Sequence, residues 1–153
     1  MQGSTWCVNM EIDEDISAIL DKLARRYSSR SIGKLCCSMK LPIGYEIRSG
    51  REIEELKKNC RVLFVNFYST HCPYCKIFHK VFIDVGRKYR GRAGFIRLNV
   101  DYDIETAWKY GIMSTPSTIA FVDGKPVTLI PGYVPHETFE MIVRRVLSEA
   151  GCT

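Results

Sequence analysis

Apolar side chains change their spacing several times along the chain, and each change marks an element. Between residues 11 and 27, Ile12, Ile16, Ile19, Leu20, Leu23 and Tyr27 recur every three or four positions. Glu11, Asp13, Glu14 and Asp15 crowd the start of this stretch, and Arg25 and Arg26 its end. One apolar stripe with charges matched to the helix dipole predicts an amphipathic helix over 11–27. Its stripe calls for cover, from the chain's own domain or from a second copy in a homodimer. Beyond it, "SSRSIGKLCCSMKLPIG" is rich in serine and glycine and reads as a linker. Residues 1–43 are therefore expected to form an extension, and residues 44–153 the main domain.

From Gly44 the period alternates. "YEIRS" reads as a short strand and "GREIEELKKN" as a short helix. "RVLFVNFYS" is a nearly unbroken apolar run, the pattern of a strand buried on both faces. In "CPYCKIFHKVFIDVGRKYRG", Phe78, Val81, Phe82, Val85 and Tyr89 return at helical spacing. "AGFIRLNVD" is a further strand, and "IETAWKYG" a short helix closed by glycine. "STIAFVDGKPVTLIP" is two strands around an Asp-Gly turn. "HETFEMIVRRVLSEA" is a last amphipathic helix. The order β-α-β-α-β-α-β-β-α implies an α/β domain with a central mixed sheet flanked by helices.

Composition narrows the function classes. The chain has 153 residues, 46% apolar and 25% charged, enough for one sizeable core. A net charge of +5 is spread without a dominant basic stripe, so nucleic acid is not an expected partner. No apolar run reaches the roughly 18 residues of a membrane span, and no secretion signal is recognisable, so a cytoplasmic protein is expected. Seven cysteines are many for such a chain and point to metal, redox chemistry or intracellular disulfides.

Cys72 and Cys75 stand where the buried strand gives way to a helix. Pro73 suits the first helical position, which puts Cys72 at the N-cap. Unpaired N–H groups and the positive dipole end favour a thiolate there, so Cys72 is expected to be the nucleophile. Cys75, one turn on and in line with Phe78 and Phe82, is expected to be the buried resolving thiol within disulfide reach. A zinc site is the main rival, drawn with His71 and His79 as further ligands. It lacks the second Cys-x-x-Cys pair of most structural zinc sites. A structural staple is the third reading. His71 adjoins the nucleophile and either tunes it when protonated or is an exposed loop residue. His79 reads as a surface residue of the helix. Of the other cysteines, the vicinal Cys36 and Cys37 are hard to bridge to each other, and one of them could pair with Cys7, Cys60 or Cys152.

"VLFVNFYSTHCPYCK", "RLNVDYD", "YGIMSTPSTIAFVDGKPV" and Gly132, in this order, resemble the thioredoxin superfamily over roughly residues 44–150. The resemblance implies a thioredoxin fold with an N-terminal helical extension. It places Cys72 on the family's nucleophile, Cys75 on its resolving cysteine and Pro116 on its cis-proline. Thr115 falls on the residue whose backbone meets the substrate. It further implies a protein-disulfide oxidoreductase needing no cofactor beyond its own Cys72–Cys75 disulfide. Its partners would be disulfide-containing client proteins and a thioredoxin-reductase-like or other dithiol reductant. A redox-silent binding or adaptor module is the alternative. The Pro73-Tyr74 pair is similar to glutaredoxins and some protein disulfide oxidoreductases. That implies a potential near roughly −200 mV rather than thioredoxin's −270 mV. Asn66 stands where thioredoxins carry a buried aspartate, and an amide cannot accept a proton from Cys75. Water or another group must then take that part.

Overall fold

The computed structural model describes residues 16–23, 36–38 and 40–153. They belong to two compact units, Met1–Gly33 and Lys34–Thr153. In the first, residues 16–23 are helical (α1), and Ile16, Ile19, Leu20 and Leu23 are exposed. The remainder of the expected 11–27 helix, Cys7 and most of the linker lie outside the described residues.

The second unit follows the order read from the sequence. It runs β1 (Tyr45–Ile47), α2 (Gly50–Leu56), β2 (Val62–Tyr68), α3 (Pro73–Lys88), β3 (Gly94–Asn99), α4 (Ile104–Lys109), β4 (Ser117–Val122), β5 (Lys125–Pro131) and α5 (His136–Ala150). The five strands form one sheet in the order β1-β3-β2-β4-β5. β2 runs parallel to β3 and antiparallel to β4, so the sheet is mixed. The β4–β5 turn uses Asp123 at φ 51° and Gly124 at φ 82°. Both values lie in the left-handed region that a two-residue hairpin turn requires, which is why Asp-Gly serves there.

β2 is central and buried on both faces. Phe64 belongs to a core shared with Phe78, Phe82 and Val85 of α3 and with Phe139, Val143 and Leu147 of α5. Leu63, Val65 and Phe67 point the other way, towards Ile53 of α2 and Ala107 of α4. The α3–α5 layer is rich in aromatic contacts. Phe64 stacks on Phe95 at 5.1 Å, and Phe78 meets Phe139 edge-on at 5.2 Å. Each such ring contributes about 1.5–3 kcal/mol through burial and somewhat more through ring geometry. Gly86 lets α3 approach this layer closely, since a Cβ there would strike Ile43 and Phe95.

The vicinal cysteines resolve in a way the sequence does not anticipate, because both are bridged. Cys36 is bonded to Cys152, just beyond α5, and Cys37 to Cys60, just before β2. Successive residues of an extended chain face opposite ways. Cys36 accordingly joins the α3–α5 core and Cys37 the α2–α4 core. Arg61 backs this end of the sheet. Its guanidinium donates to the Ala150 carbonyl at 3.0 Å and pairs with Asp123 at 2.9 Å.

Candidate active site

The opposite end of β2 carries the candidate site. The strand exits through Ser69, Thr70 and His71 into Cys72, which is the N-cap of α3, with Pro73 in the first turn. A proline in the first turn leaves no donor stranded, and its fixed φ suits the helix start. The Cys75 N–H donates to Cys72 Sγ at 3.2 Å, and the two cysteines form a disulfide with Cα atoms 5.2 Å apart. Cys72 keeps 8% of its surface exposed and Cys75 only 2%. Attack from outside can therefore reach Cys72 first. A thiolate on Cys72 would lie against unpaired backbone N–H groups at the positive end of a sixteen-residue helix.

Three hydrogen bonds hold the loop before Cys72. Asp101 accepts the Thr70 N–H at 2.8 Å, Asn99 donates to the Thr70 hydroxyl at 3.0 Å, and the Ser69 and Thr115 hydroxyls meet at 2.9 Å. Two hydrogen bonds from Thr70 hold the Asp101 carboxyl below the usual carboxylate range, with a smaller contribution from nearby His71. The Thr115–Pro116 peptide is cis, and the Thr115 carbonyl oxygen lies 3.6 Å from Cys72 Sγ. Gly132 donates its N–H to the Pro116 carbonyl at 2.7 Å, tying the proline loop to the end of β5.

The structure thus brings His71, Cys72, Pro73, Tyr74, Cys75, Thr115 and Pro116 to one end of the sheet. His71, Pro73 and Tyr74 are exposed around the disulfide, Tyr74 strongly so. Met113, two residues before Thr115, is 93% exposed. Asn66 stands apart from this rim. It is fully buried in β2, donates to the Thr118 hydroxyl at 3.2 Å and accepts from Arg97 Nε at 3.5 Å.

Two residues carry more than the sequence reading gave them. Arg97, on β3, lays its guanidinium 3.8 Å from the centre of the Tyr68 ring. Burial pulls it below the usual arginine value, and Glu46 opposes the shift. His79 was expected on the helix surface, yet it is half-buried and its Nδ1 is a buried atom with no hydrogen-bond partner. Its place one turn beyond Cys75 was legible, but its burial depends on β1 and β3, which lie far away in sequence. Among the described residues, no three His, Cys, Asp or Glu side chains are grouped to hold a metal ion.

Comparison with known proteins agrees with the architecture. The family model described as a thioredoxin-like domain matches residues 50–147. Thioredoxin from Staphylococcus aureus is 36% identical over 86 residues, which span 56% of this chain and 83% of that protein. A single-site mutant of thioredoxin from Halobacterium salinarum NRC-1 has a similar structure. Its TM-score is 0.64 at 18% identity, over 71% of this chain and 95% of that one. Chloroplastic thioredoxin z gives 0.63 at 21% identity, over 72% and 99%. At such identities the structural likeness speaks for the fold, and the sequence matches speak for kinship. The matched span holds Cys72, Cys75 and the cis-proline, and it covers well over half of the chain. On these grounds the chain belongs to the thioredoxin-like family.

Proposed function

We propose that the protein is a thiol–disulfide oxidoreductase that exchanges disulfides with protein clients through Cys72 and Cys75. One observation carries the reading. Cys72 is the N-cap of α3, accepts the Cys75 N–H and lies beside the Thr115 carbonyl at an exposed rim. Cys72 as thiolate attacks a client disulfide, one client sulfur leaves as thiolate and is protonated, and a mixed disulfide remains. Cys75 then loses its proton and attacks Cys72 Sγ. The second client sulfur departs as a thiol, and two electrons have passed from the dithiol to the client. Tyr74 and Met113 offer apolar surface beside the pair, and the Thr115 backbone is placed to meet an extended client segment. Beyond the client disulfide, these steps use only the chain's own two cysteines. Electrons are restored by a thioredoxin-reductase-like partner or another dithiol.

The Pro73-Tyr74 pair favours a less reducing potential than that of thioredoxin, near roughly −200 mV. A cytoplasmic setting fits the absence, among the described residues, of a helix long and apolar enough to cross a membrane. Insulin-disulfide reduction tests the main reading. Cys72→Ser is expected to abolish it, and Cys75→Ser to accumulate mixed disulfides visible on non-reducing gels. Full turnover by Cys72→Ser would remove the assignment. An intact protein without turnover under any dithiol would instead favour an adaptor module.

A further inference from the structure

Cys75 is 2% exposed and needs a proton acceptor before it can attack, since the thiolate and not the thiol is the nucleophile. Asn66, the buried polar residue of the adjoining strand, is an amide and cannot serve. Beside the disulfide lies a cavity of about 390 Å³, large enough for several waters, and both Cys75 and His79 line it. His79 follows Cys75 by four residues on α3, so their Cβ atoms lie roughly 5–6 Å apart on one helix face. The His79 Nδ1 is the buried side-chain nitrogen or oxygen that lacks a hydrogen-bond partner among the described residues.

Building on the redox reading above, we propose that His79 accepts the Cys75 proton, through water in this cavity, when Cys75 resolves a Cys72–client mixed disulfide. The neutral imidazole offers a ring-nitrogen lone pair. The Cys75 proton passes to that nitrogen, the Cys75 thiolate bonds to Cys72 Sγ, and the Cys72–client bond breaks. The imidazolium then returns the proton, by way of water, to the departing client thiolate.

The other titratable groups on the cavity wall are poorer candidates. Arg97 from β3 and Lys76 from α3 are cations without a lone pair to offer. Glu46 from β1 is exposed, and a carboxylate is a much weaker base than imidazole. Tyr68 at the end of β2 and Tyr102 beyond β3 present phenol O–H groups in place of an imidazole lone pair. The surroundings also keep His79 ready. Burial first, and the Arg97 charge second, hold the imidazole below its ordinary value, with Glu46 opposing. That direction favours the neutral imidazole, the form able to accept a proton.

The test uses reduced protein in a Cys7→Ser background, mixed with the aromatic disulfide DTNB and followed by release of its coloured thiolate. The first phase reports Cys72 and the second reports Cys75. His79→Gln should leave the first phase unchanged and slow the second on the order of 100-fold at pH 7. In the unsubstituted His79 protein the second phase should fall away as pH drops below the lowered histidine value, a limb that His79→Gln lacks. Added imidazole should restore the second phase in His79→Ala and leave the His79 protein unaffected. An unchanged second phase with an unchanged pH profile overturns the proposal. So does a parallel loss of both phases without imidazole rescue, which marks a structural role. If the His79 protein itself shows no second phase, the redox reading fails rather than this one.

Discussion

The two ends of β2 each carry cysteines, and the contrast between them shows how position governs a disulfide. At the exit, Cys72 sits at the start of α3, where backbone N–H groups face its sulfur. At the entry, Cys60 and Cys152 sit just past helix ends, each donating its N–H back into a last turn, to Leu56 and Leu147 respectively. A helix start stabilises a thiolate, and a helix end, with its outward carbonyls, opposes one. Cys72 borders an exposed rim, while Cys36 and Cys152 are 3% and 0% exposed within the core. The same bond type thus meets surroundings that favour a thiolate at one end and disfavour one at the other.

The largest test of that contrast is a crossed pair of substitutions. Cys152→Ser is expected to cost about 4–5 kcal/mol, because it opens a loop with a separation of 116 residues, and to leave turnover intact in the folded fraction. Cys75→Ser should do the reverse, ending turnover with little change in denaturant midpoint. If Cys152→Ser instead loses activity at unchanged stability, the entry end takes part in the chemistry and the contrast collapses.

Cys60→Ser comes next, at about 3 kcal/mol, since its loop separation is only 23. A urea titration of both variants ranks the two bridges directly. Asp101→Ala probes the exit loop and should lower the denaturant midpoint only slightly, by leaving the Thr70 N–H without its carboxylate. It should also slow alkylation of Cys72 by iodoacetamide, because the loop that positions the N-cap is loosened.

The smallest effect belongs to Asp123, whose pair with Arg61 is exposed. Asp123→Asn should cost less than about 1 kcal/mol. The Arg61 hydrogen bond holds the Asp123 carboxyl below its usual value. Its contribution is therefore present above the ordinary carboxylate range and fades as pH falls through the depressed folded value. Stability curves of the two proteins should converge at that acid end.

Much of this was legible in the chain. The unbroken run from Val62 to Tyr68 announced a central strand, and Pro73 alone placed Cys72 at a helix start. Asp123-Gly124 marked the hairpin because few other residues tolerate its backbone. The cis bond before Pro116 came through family resemblance, since no local pattern distinguishes it from a strand-start proline. The pairing of Cys36 and Cys37 was only half legible. Strain made a bond between them hard to form, but nothing local encodes which distant cysteine meets which. Arg97 and the burial of His79 were not legible for the same reason. Their surroundings are assembled from β1, β2, β3 and α3, and only the folded sheet brings Tyr68, Glu46 and Asn66 near them.

The Cys36–Cys152 bridge also changes the covalent topology of the domain. It closes residues 36–152 into a ring, with a smaller ring from Cys37 to Cys60 inside it. A single proteolytic cut anywhere between Cys37 and Gly151 then yields a nicked circle and not two fragments. Only reduction separates the pieces, so the oxidised domain should survive a first cut that would dismember its linear form.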